Sequence, residues 1–405
     1  MRRVPTFVWI LLVAAICVGL DFGYDTLVDV DRSYKFWLTI GVMCAINVLG
    51  ATSLNVVNGM AGQFSIGHAG FVGLGAYVGG WVAARLAVAT VPADQLHDNL
   101  GVVASLWMLP IALVAVALVC AVVGLVVGLP SLRLRGDYLA IVTLGFSEIL
   151  RLTILGTTAD TAHNPVTRAI AALGGSLGYR GPVVGDDFSG IPGLAGPMWT
   201  VGLAALGLFL AYRFKRSGFG RALRAVREDE IAASAVGVDP AKYKVTAFVI
   251  AAIGAGVAGA LLALRRDGPG IVSPANMKFD KSFEAITMVI LGGSGSVTGA
   301  AVGAVLYTTV FYASEELLLG LQRHGVGFFA NVDAAALRMT LFAAALIVVM
   351  LVRPEGLFGE REIWERKKTK GGRGGPPDLG EKKLAVESKT ERLPSEKNLP
   401  GALET

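Results

Sequence analysis

Long apolar stretches separated by short polar segments dominate the chain. A membrane span needs about 20 apolar residues, or fewer where a helix is broken or re-entrant. Such segments are predicted at about 6–20, 36–57, 66–88, 103–128, 138–156, 195–212, 245–264, 283–293, 297–317 and 335–352. The segment 283–293 is too short to cross alone, so we expect a broken pair with 297–317 across the linker GGSGS. The pattern predicts an all-α polytopic membrane protein with about eight to ten transmembrane helices, including broken or re-entrant segments.

Composition agrees with a membrane protein and argues against several chemistries. The chain has 405 residues, 54% of them hydrophobic and 17% charged, whereas roughly a quarter of the residues of a soluble protein are charged. Its three cysteines all lie in apolar runs, where they are typical of small hydrophobic residues. The four histidines lack metal-ligand spacing, and a net charge of +5 suits basic loops better than nucleic-acid binding. We therefore expect no metal, cofactor or catalytic residue.

Charge in the loops predicts the orientation. Eight Lys and Arg residues between 213 and 244 place this loop in the cytoplasm, while the acidic segments 21–35 and 89–101 face outward. Ten crossings then put both termini inside and the Gly- and Pro-rich loop 157–196 outside. The expected organisation is an N-terminal span with an acidic outer loop (1–35), a membrane core (36–355) and a charged, disordered cytoplasmic tail (356–405).

The source of energy is not in this chain. No Gly-Lys dipeptide occurs, so there is no loop of the type that binds ATP phosphates. Within 213–244, the residues Gly220–Val236 predict an alanine-rich helix, Gly237 a helix stop and Asp239-Pro240 the start of the next helix. Two helices joined by a turn outside the membrane could dock into a groove of a partner protein, or they could only connect two spans. The residues leave both readings open, as they leave open an ion gradient or another subunit as the driving force.

Polar groups inside the spans are candidate functional residues, because they are costly in a bilayer. Glu148 and Arg151 lie one turn apart in the fifth span. They either form part of a translocation path or gate, or lock the helix to a neighbour as an ion pair. Asn47, Asn55 and Asn58 follow one another along the second span, where interhelical hydrogen bonding is the expected role.

Glycine patterns predict close helix packing and a duplicated arrangement. Pairs spaced four apart, which allow helices to approach closely, are Gly75/Gly79, Gly124/Gly128 and Gly299/Gly303. The stretches 62–70 and 293–303 resemble each other, which indicates a weak internal repeat with broken helices around a central path. Gln63, Ser65 and His68 would satisfy backbone and neighbouring groups at a pathway-lining hinge. A purely structural role for His68 is the alternative.

Several long motifs resemble the branched-chain amino acid permease family of ABC importers, and specifically its LivM-type branch. The stretch EIAASAVG at 230–237 is similar to the E-A-A-x-x-x-G motif with which importer permeases contact the ATPase subunit. The family pattern continues in LNVVNGMAGQFSIGHAGFVGLGAY (54–77), LRLRGDYLAIVTLGFSEILRL (132–152), GFGRALRAVREDEIAASAVGVDPAKYKVTAFVIAAIGAGVAGAL (218–261) and VILGGSGSVTGAAVGA (289–304). The resemblance covers about residues 36–355.

This resemblance implies a multi-pass permease subunit of an ATP-driven importer of branched-chain amino acids in a bacterial or archaeal cytoplasmic (inner) membrane. The implied partners are ABC ATPase subunits, a second related permease in a heterodimer, and a periplasmic or extracytoplasmic substrate-binding protein. Urea and short amides are alternative cargoes within the family, and a stand-alone ion-coupled carrier or channel is the alternative outside it.

The resemblance and the residue patterns together give two sets of candidate residues. The expected ATPase-coupling residues are Gly220, Arg221, Arg224, Arg227, Glu228, Asp229, Glu230, Ala232, Ala233 and Gly237. The expected pathway or gating residues are Asn55, Gly62, Gln63, Ser65, Gly67, His68, Glu148, Arg151, Gly293 and Ser296.

Overall fold

The computed structural model describes residues 19, 21, 23, 32–92, 101–131, 138–157, 164–184, 187–323, 340, 343, 344, 347, 351, 352, 356–359 and 362. Its helices are α1 (Arg32–Asn55, continued by a π-helix over Val56–Met60), α2 (His68–Thr90), α3 (Gly101–Ser131), α4 (Tyr138–Gly156), α5 (Pro165–Ala171), α6 (Pro197–Arg216), α7 (Gly218–Glu228), α8 (Glu230–Ala235), α9 (Pro240–Leu264), α10 (Phe279–Gly292) and α11 (Val297–Arg323). The shorter elements are 3-10 helices at Gly175–Leu177 and Pro274–Met277, and antiparallel strands β1 (Val183–Val184) and β2 (Asp187–Phe188).

Among the described residues, seven helices are long and apolar enough to cross a membrane. They cover Tyr34–Met60, His68–Thr90, Val103–Pro130, Leu139–Gly156, Pro197–Arg216, Pro240–Leu264 and Val297–Ser314. This confirms the all-α polytopic class. The predicted spans at 6–20 and 335–352 lie largely outside the described residues. The predicted short segment is α10, which has 14 residues and ends just before α11 begins.

Helix α9 packs against α1, α2 and α3 through small residues. A Cβ added at Gly75 would lie 2.0 Å from the backbone oxygen of Gly256, and one added at Gly79 would lie 2.8 Å from the Cβ of Ala260. Only glycine allows the backbones of α2 and α9 to approach this closely. The predicted packing role of the first glycine pair is therefore confirmed.

The predicted outer loop 157–196 packs along the segment that follows α9. Tyr179 exchanges backbone hydrogen bonds with Val272, at 2.8 and 3.0 Å, and the amide of Ala195 donates to Leu264 at 2.7 Å. The backbone of this Gly- and Pro-rich region is thus held by hydrogen bonds to its neighbours rather than by long elements of its own. Its side of the membrane stays a prediction.

The single helix predicted over Gly220–Val236 is wrong. The chain forms two helices, α7 and α8, because Asp229 adopts an extended conformation and its carboxylate accepts the amides of Ile231 and Ala232, at 2.8 and 3.0 Å. An aspartate that caps a new helix in this way competes with continuation of the old one. The predicted stop is confirmed at Gly237, which has φ +85°.

The residues just beyond the tail boundary predicted at 356 contact α10. The amides of Leu357 and Phe358 donate to the carbonyls of Leu291 and Gly292 at the end of α10, at 3.0 and 3.1 Å, and Glu362 is buried. The short segment 356–362 therefore belongs, where it is described, to the packed core. The remainder of the predicted disordered tail lies outside the described residues.

Candidate functional site

Two broken helices meet at what we call the break junction, formed by residues 55–67 and 293–298. Asn55, which is fully buried, joins them. Its amide nitrogen donates to the carbonyl of Ser296 at 3.0 Å, and its amide oxygen accepts from the amide of Gly295 at 2.9 Å. The chain widens into a π-helix directly after Asn55, a feature that often marks a functional position in a helix. The expected interhelical hydrogen bonding of Asn55 is confirmed.

The backbones approach closely at the break junction because glycines line it. A Cβ at Gly59 would lie 2.0 Å from the Asn55 side-chain oxygen and 2.4 Å from the amide nitrogen of Gly295. Gly62 and Gly293 have φ values of +65° and +123°, which side-chain-bearing residues rarely adopt. The stretch 293–303 therefore lies against residues 55–59, which come shortly before the stretch 62–70 that it resembles in sequence.

The segment from Gly62 to Gly67 connects the π-helix to α2 and is held by side chains of two other elements. The amide of Ser65 donates to the side chain of Asn58 at 3.2 Å, and its hydroxyl lies 3.4 Å from that of Thr143 in α4. A Cβ at Gly67 would lie 2.5 Å from the carbonyl of Thr143. The backbone thus has partners while it is not helical, as membrane depth requires.

The basic loop (213–244) is attached directly to the break junction. Arg227 in α7 donates to the carbonyl oxygen of Gly59 at 2.8 Å, and its Cγ would lie 2.6 Å from a Cβ at Gly62. Leu223, also in α7, is fully buried in one apolar cluster with Met60 and Val297. Helix α7 therefore contacts both sides of the break junction.

A buried carboxylate forms a second attachment. Glu362 accepts hydrogen bonds from the amides of Val297 and Thr298, at 3.0 Å each, and from Lys215 at 2.5 Å. A negative group is favourable at a helix N-terminus. Burial alone raises the pKa of Glu362, but the hydrogen bonds from Lys215, Thr298 and Val297 outweigh it, so the pKa lies below its ordinary value.

The face of the basic loop that points away from the break junction is exposed and carries apolar side chains. The side chains of Ile231 and Val236 are 84% and 78% exposed, although Ala233 between them is buried. Glu230 pairs with Lys244 at the start of α9, which holds α8 in position. The other predicted coupling residues that are exposed on this loop are Arg221, Arg224, Glu228, Asp229, Ala232 and Gly237. Gly220 is buried. The arrangement presents hydrophobic and charged side chains together, as a protein-docking surface does.

A cavity of about 290 Å³ lies between α1, α2, α9, α10 and α11. His68 lines it at the N-terminus of α2, and Asn47 reaches Thr308 of α11 at 2.8 Å along its wall. The same cavity is lined by the ion pair of Lys281 with Glu284, whose side-chain atoms lie 2.7 and 2.9 Å apart. Polar groups thus converge in an otherwise mostly apolar space, as in small-molecule sites.

The structure brings together most of the predicted pathway residues, but not all. Asn55, Gly62, Gln63, Ser65, Gly67, Gly293 and Ser296 belong to the break junction, and His68 connects it to the cavity. Glu148 and Arg151 form the predicted ion pair at 2.8 Å on α4, but they do not line this cavity. The pairing is confirmed, and a pathway role for the pair stays a prediction.

Sequence reasoning missed four residues that the structure places at these sites, namely Thr143, Lys281, Glu284 and Glu362. Three of them are charged, but each lies in a polar stretch at a helix end or beyond the last apolar segment. Such stretches are normally solvated. Nothing in the sequence around Glu362 indicated a buried position, because Glu360 and Arg361 directly before it are charged as well.

Comparison with known proteins places the chain in a functional context. Residues 36–352 match the family described as "Branched-chain amino acid transport system / permease component". The high-affinity branched-chain amino acid transport system permease protein LivM of Salmonella typhimurium is 34% identical over 78% of this chain and 69% of its own length. A probable LivM protein of Methanocaldococcus jannaschii is 29% identical over 77% and 90%. The permease protein LivH of Salmonella typhimurium is 33% identical over 41% of this chain and 47% of its own. No solved structure matches significantly.

Proposed function

The chain belongs to the branched-chain amino acid transport permease family, and from that premise we propose how it moves its cargo. It is a multi-pass membrane permease subunit and not an enzyme. Because its LivM relatives are named as branched-chain amino acid permeases, we propose that it carries these amino acids inward. ATP is hydrolysed by separate ATPase subunits, and a second related permease completes the membrane part, as the similarity to LivH proteins supports.

The ATPase docks on the exposed face of the basic loop, where Ile231 and Val236 supply apolar contact area. The charged residues around them set the orientation of the partner. A substrate-binding protein delivers cargo on the opposite side, where Tyr179, Ile191 and Ala195 form backbone hydrogen bonds with Val272, Gly270 and Leu264. Both chain termini and the basic loop then lie in the cytoplasm, in agreement with the distribution of Lys and Arg.

The hydrogen bond from Arg227 to Gly59 is the single observation that carries this proposal. It joins the basic loop to the π-helix, and Asn55 joins the π-helix to the start of α11. Closure of the ATPases would therefore move α7 and, through it, the ends of α1 and α11. These two helices also form walls of the cavity, where Asn47 meets Thr308. ATP-driven motion thus reaches a site of the size that holds small molecules.

Reconstitution into proteoliposomes tests the proposal. The complete importer, with binding protein outside and ATP at the ATPase subunits, should accumulate leucine. Omission of the ATPase subunits should abolish accumulation. Leucine uptake by this chain alone would contradict the proposal and favour a stand-alone carrier, while ATP-dependent uptake of urea or acetamide without leucine uptake would reassign the cargo.

A further inference from the structure

The cavity combines an apolar wall with one pair of opposite charges. Its apolar side chains come from several helices and include Met43, Ile46, Ala258, Leu262, Met288 and Phe311. Lys281 and Glu284 lie one turn apart on α10, and both line the same space. Arg265 lines it too; its guanidinium lies 3.8 Å from the carboxylate of Asp267, and its Nε has no hydrogen-bond partner among the described residues. Lys281 and Glu284 form the ion pair of which both members line the cavity.

The first turn of α10 is fixed beside His68. The amide of Ala69 donates to the hydroxyl of Ser282 at 3.0 Å, so the residue after His68 contacts the residue after Lys281. His68 is only 6% exposed, and its Nε2 has no hydrogen-bond partner in the part of the chain that the structure describes. A buried ring nitrogen of this kind is unfavourable unless a polar group meets it.

We propose that Lys281, Glu284 and His68 recognise the two charged groups of a zwitterionic α-amino acid in this cavity. This inference rests on the proposed function and names the chemistry of its cargo. The cargo carboxylate takes the place of Glu284 at the Lys281 ammonium. The cargo ammonium donates to the Glu284 carboxylate and to Nε2 of the neutral His68, and the aliphatic side chain faces the apolar wall. Charge-assisted hydrogen bonds of this type are the stronger ones.

The assignment also predicts selectivity. Urea and short amides lack both the carboxylate and the ammonium group, so they would not replace either partner of the Lys281–Glu284 ion pair. A site built for polar partners discriminates strongly against molecules that lack them. An amino acid therefore fits the cavity better than a neutral amide.

The test measures leucine uptake per ATP hydrolysed by the complete importer in proteoliposomes, with saturating binding protein. Lys281→Met and Glu284→Gln are each expected to lower this ratio about tenfold or more, with basal ATP hydrolysis and ATPase binding retained. Lys278→Met removes the same charge just outside the cavity and should stay within about twofold of the wild type.

The exchange variant Lys281→Glu/Glu284→Lys separates recognition from a structural ion pair. It keeps opposite charges one turn apart but exchanges their positions. Uptake should therefore stay low if the pair recognises the charged groups of the cargo. Restored uptake in the exchange variant, or unchanged uptake in both single variants, would overturn the inference while leaving the proposed function intact. Failure of the wild-type importer to carry leucine would instead overturn the proposed function.

Discussion

The ammonium group of Lys215 lies 2.5 Å from the carboxylate of Glu362, although 147 residues separate them in the chain. Lys215 belongs to the last turn of α6, at the start of the basic loop, and Glu362 caps the N-terminus of α11. The relative exposures of the two side chains are 10% and 2%. One buried contact therefore joins the start of the basic loop to the N-terminus of α11.

Removal of the Glu362 carboxylate should destabilise the protein. Glu362→Ala leaves the Lys215 ammonium and two helix amides without their buried partner, and breaking a buried pair costs about 3–5 kcal/mol. The midpoint of thermal unfolding of the purified permease complex should fall by several degrees. Glu316→Ala, at an exposed position on α11, should change the midpoint little. Equal midpoints for both variants would contradict the role given to Glu362.

The same contact predicts loss of stability in acid. The folded-state pKa of Glu362 is lowered from 4.5, so the contribution of this group to the free energy of unfolding is fully present above the unfolded-state pKa. It is lost as the pH falls through the lowered folded-state pKa. Unfolding midpoints measured from pH 7 downward should decline in this acidic range. The decline should be shallower in Glu362→Gln, whose side chain does not titrate, and an identical profile would refute the assignment.

Packing at the break junction should tolerate no added methyl group. In Gly59→Ala the new Cβ would meet Asn55 and the backbone of Gly295, and overpacking of this kind costs about 1–3 kcal/mol. We expect leucine uptake to fall about tenfold or more. Gly145→Ala is the matched control in α4, because nothing lies within 4 Å of a Cβ there. If Gly59→Ala transports as well as Gly145→Ala, close approach at the junction is not needed.

The docking face should lose its partner when its apolar centre is charged. Ile231→Asp places a carboxylate on a side chain that is 84% exposed, and the amount of ATPase that co-purifies with the permease should drop about tenfold. Leu177→Asp makes the same change on a residue that is 72% exposed far along the chain. It should leave ATPase capture unchanged. Undiminished capture by Ile231→Asp would place the ATPase elsewhere.

Features that depend on near neighbours in sequence were predictable. Gly237 and Asp239 mark a helix end and a helix start, because a positive φ and a side-chain cap are encoded within about four residues. Seven spans followed from apolar length, and the first glycine pair from its spacing. The break at Asp229 was missed because the surrounding alanines favour a continuous helix, whereas the local capping contact outweighs that preference.

Long-range pairings could not be read from the sequence. Ala69 and Ser282 are 213 residues apart, and their contact is what brings Lys281 and Glu284 beside His68. Glu362 is one of many charges near the C-terminal end, so only tertiary packing identifies it as buried. Glycine spacing indicated that the broken helices pack closely against a neighbouring segment, but it did not indicate that this neighbour is the other broken helix.

The most direct test of the account is the ratio of leucine transported to ATP hydrolysed in Arg227→Met. This variant loses the hydrogen bond to Gly59 but keeps the exposed face around Ile231. We expect normal ATPase capture, continued ATP hydrolysis and a ratio about tenfold or more below the wild type, with partial recovery in Arg227→Lys. A wild-type ratio in Arg227→Met would contradict transmission through this contact.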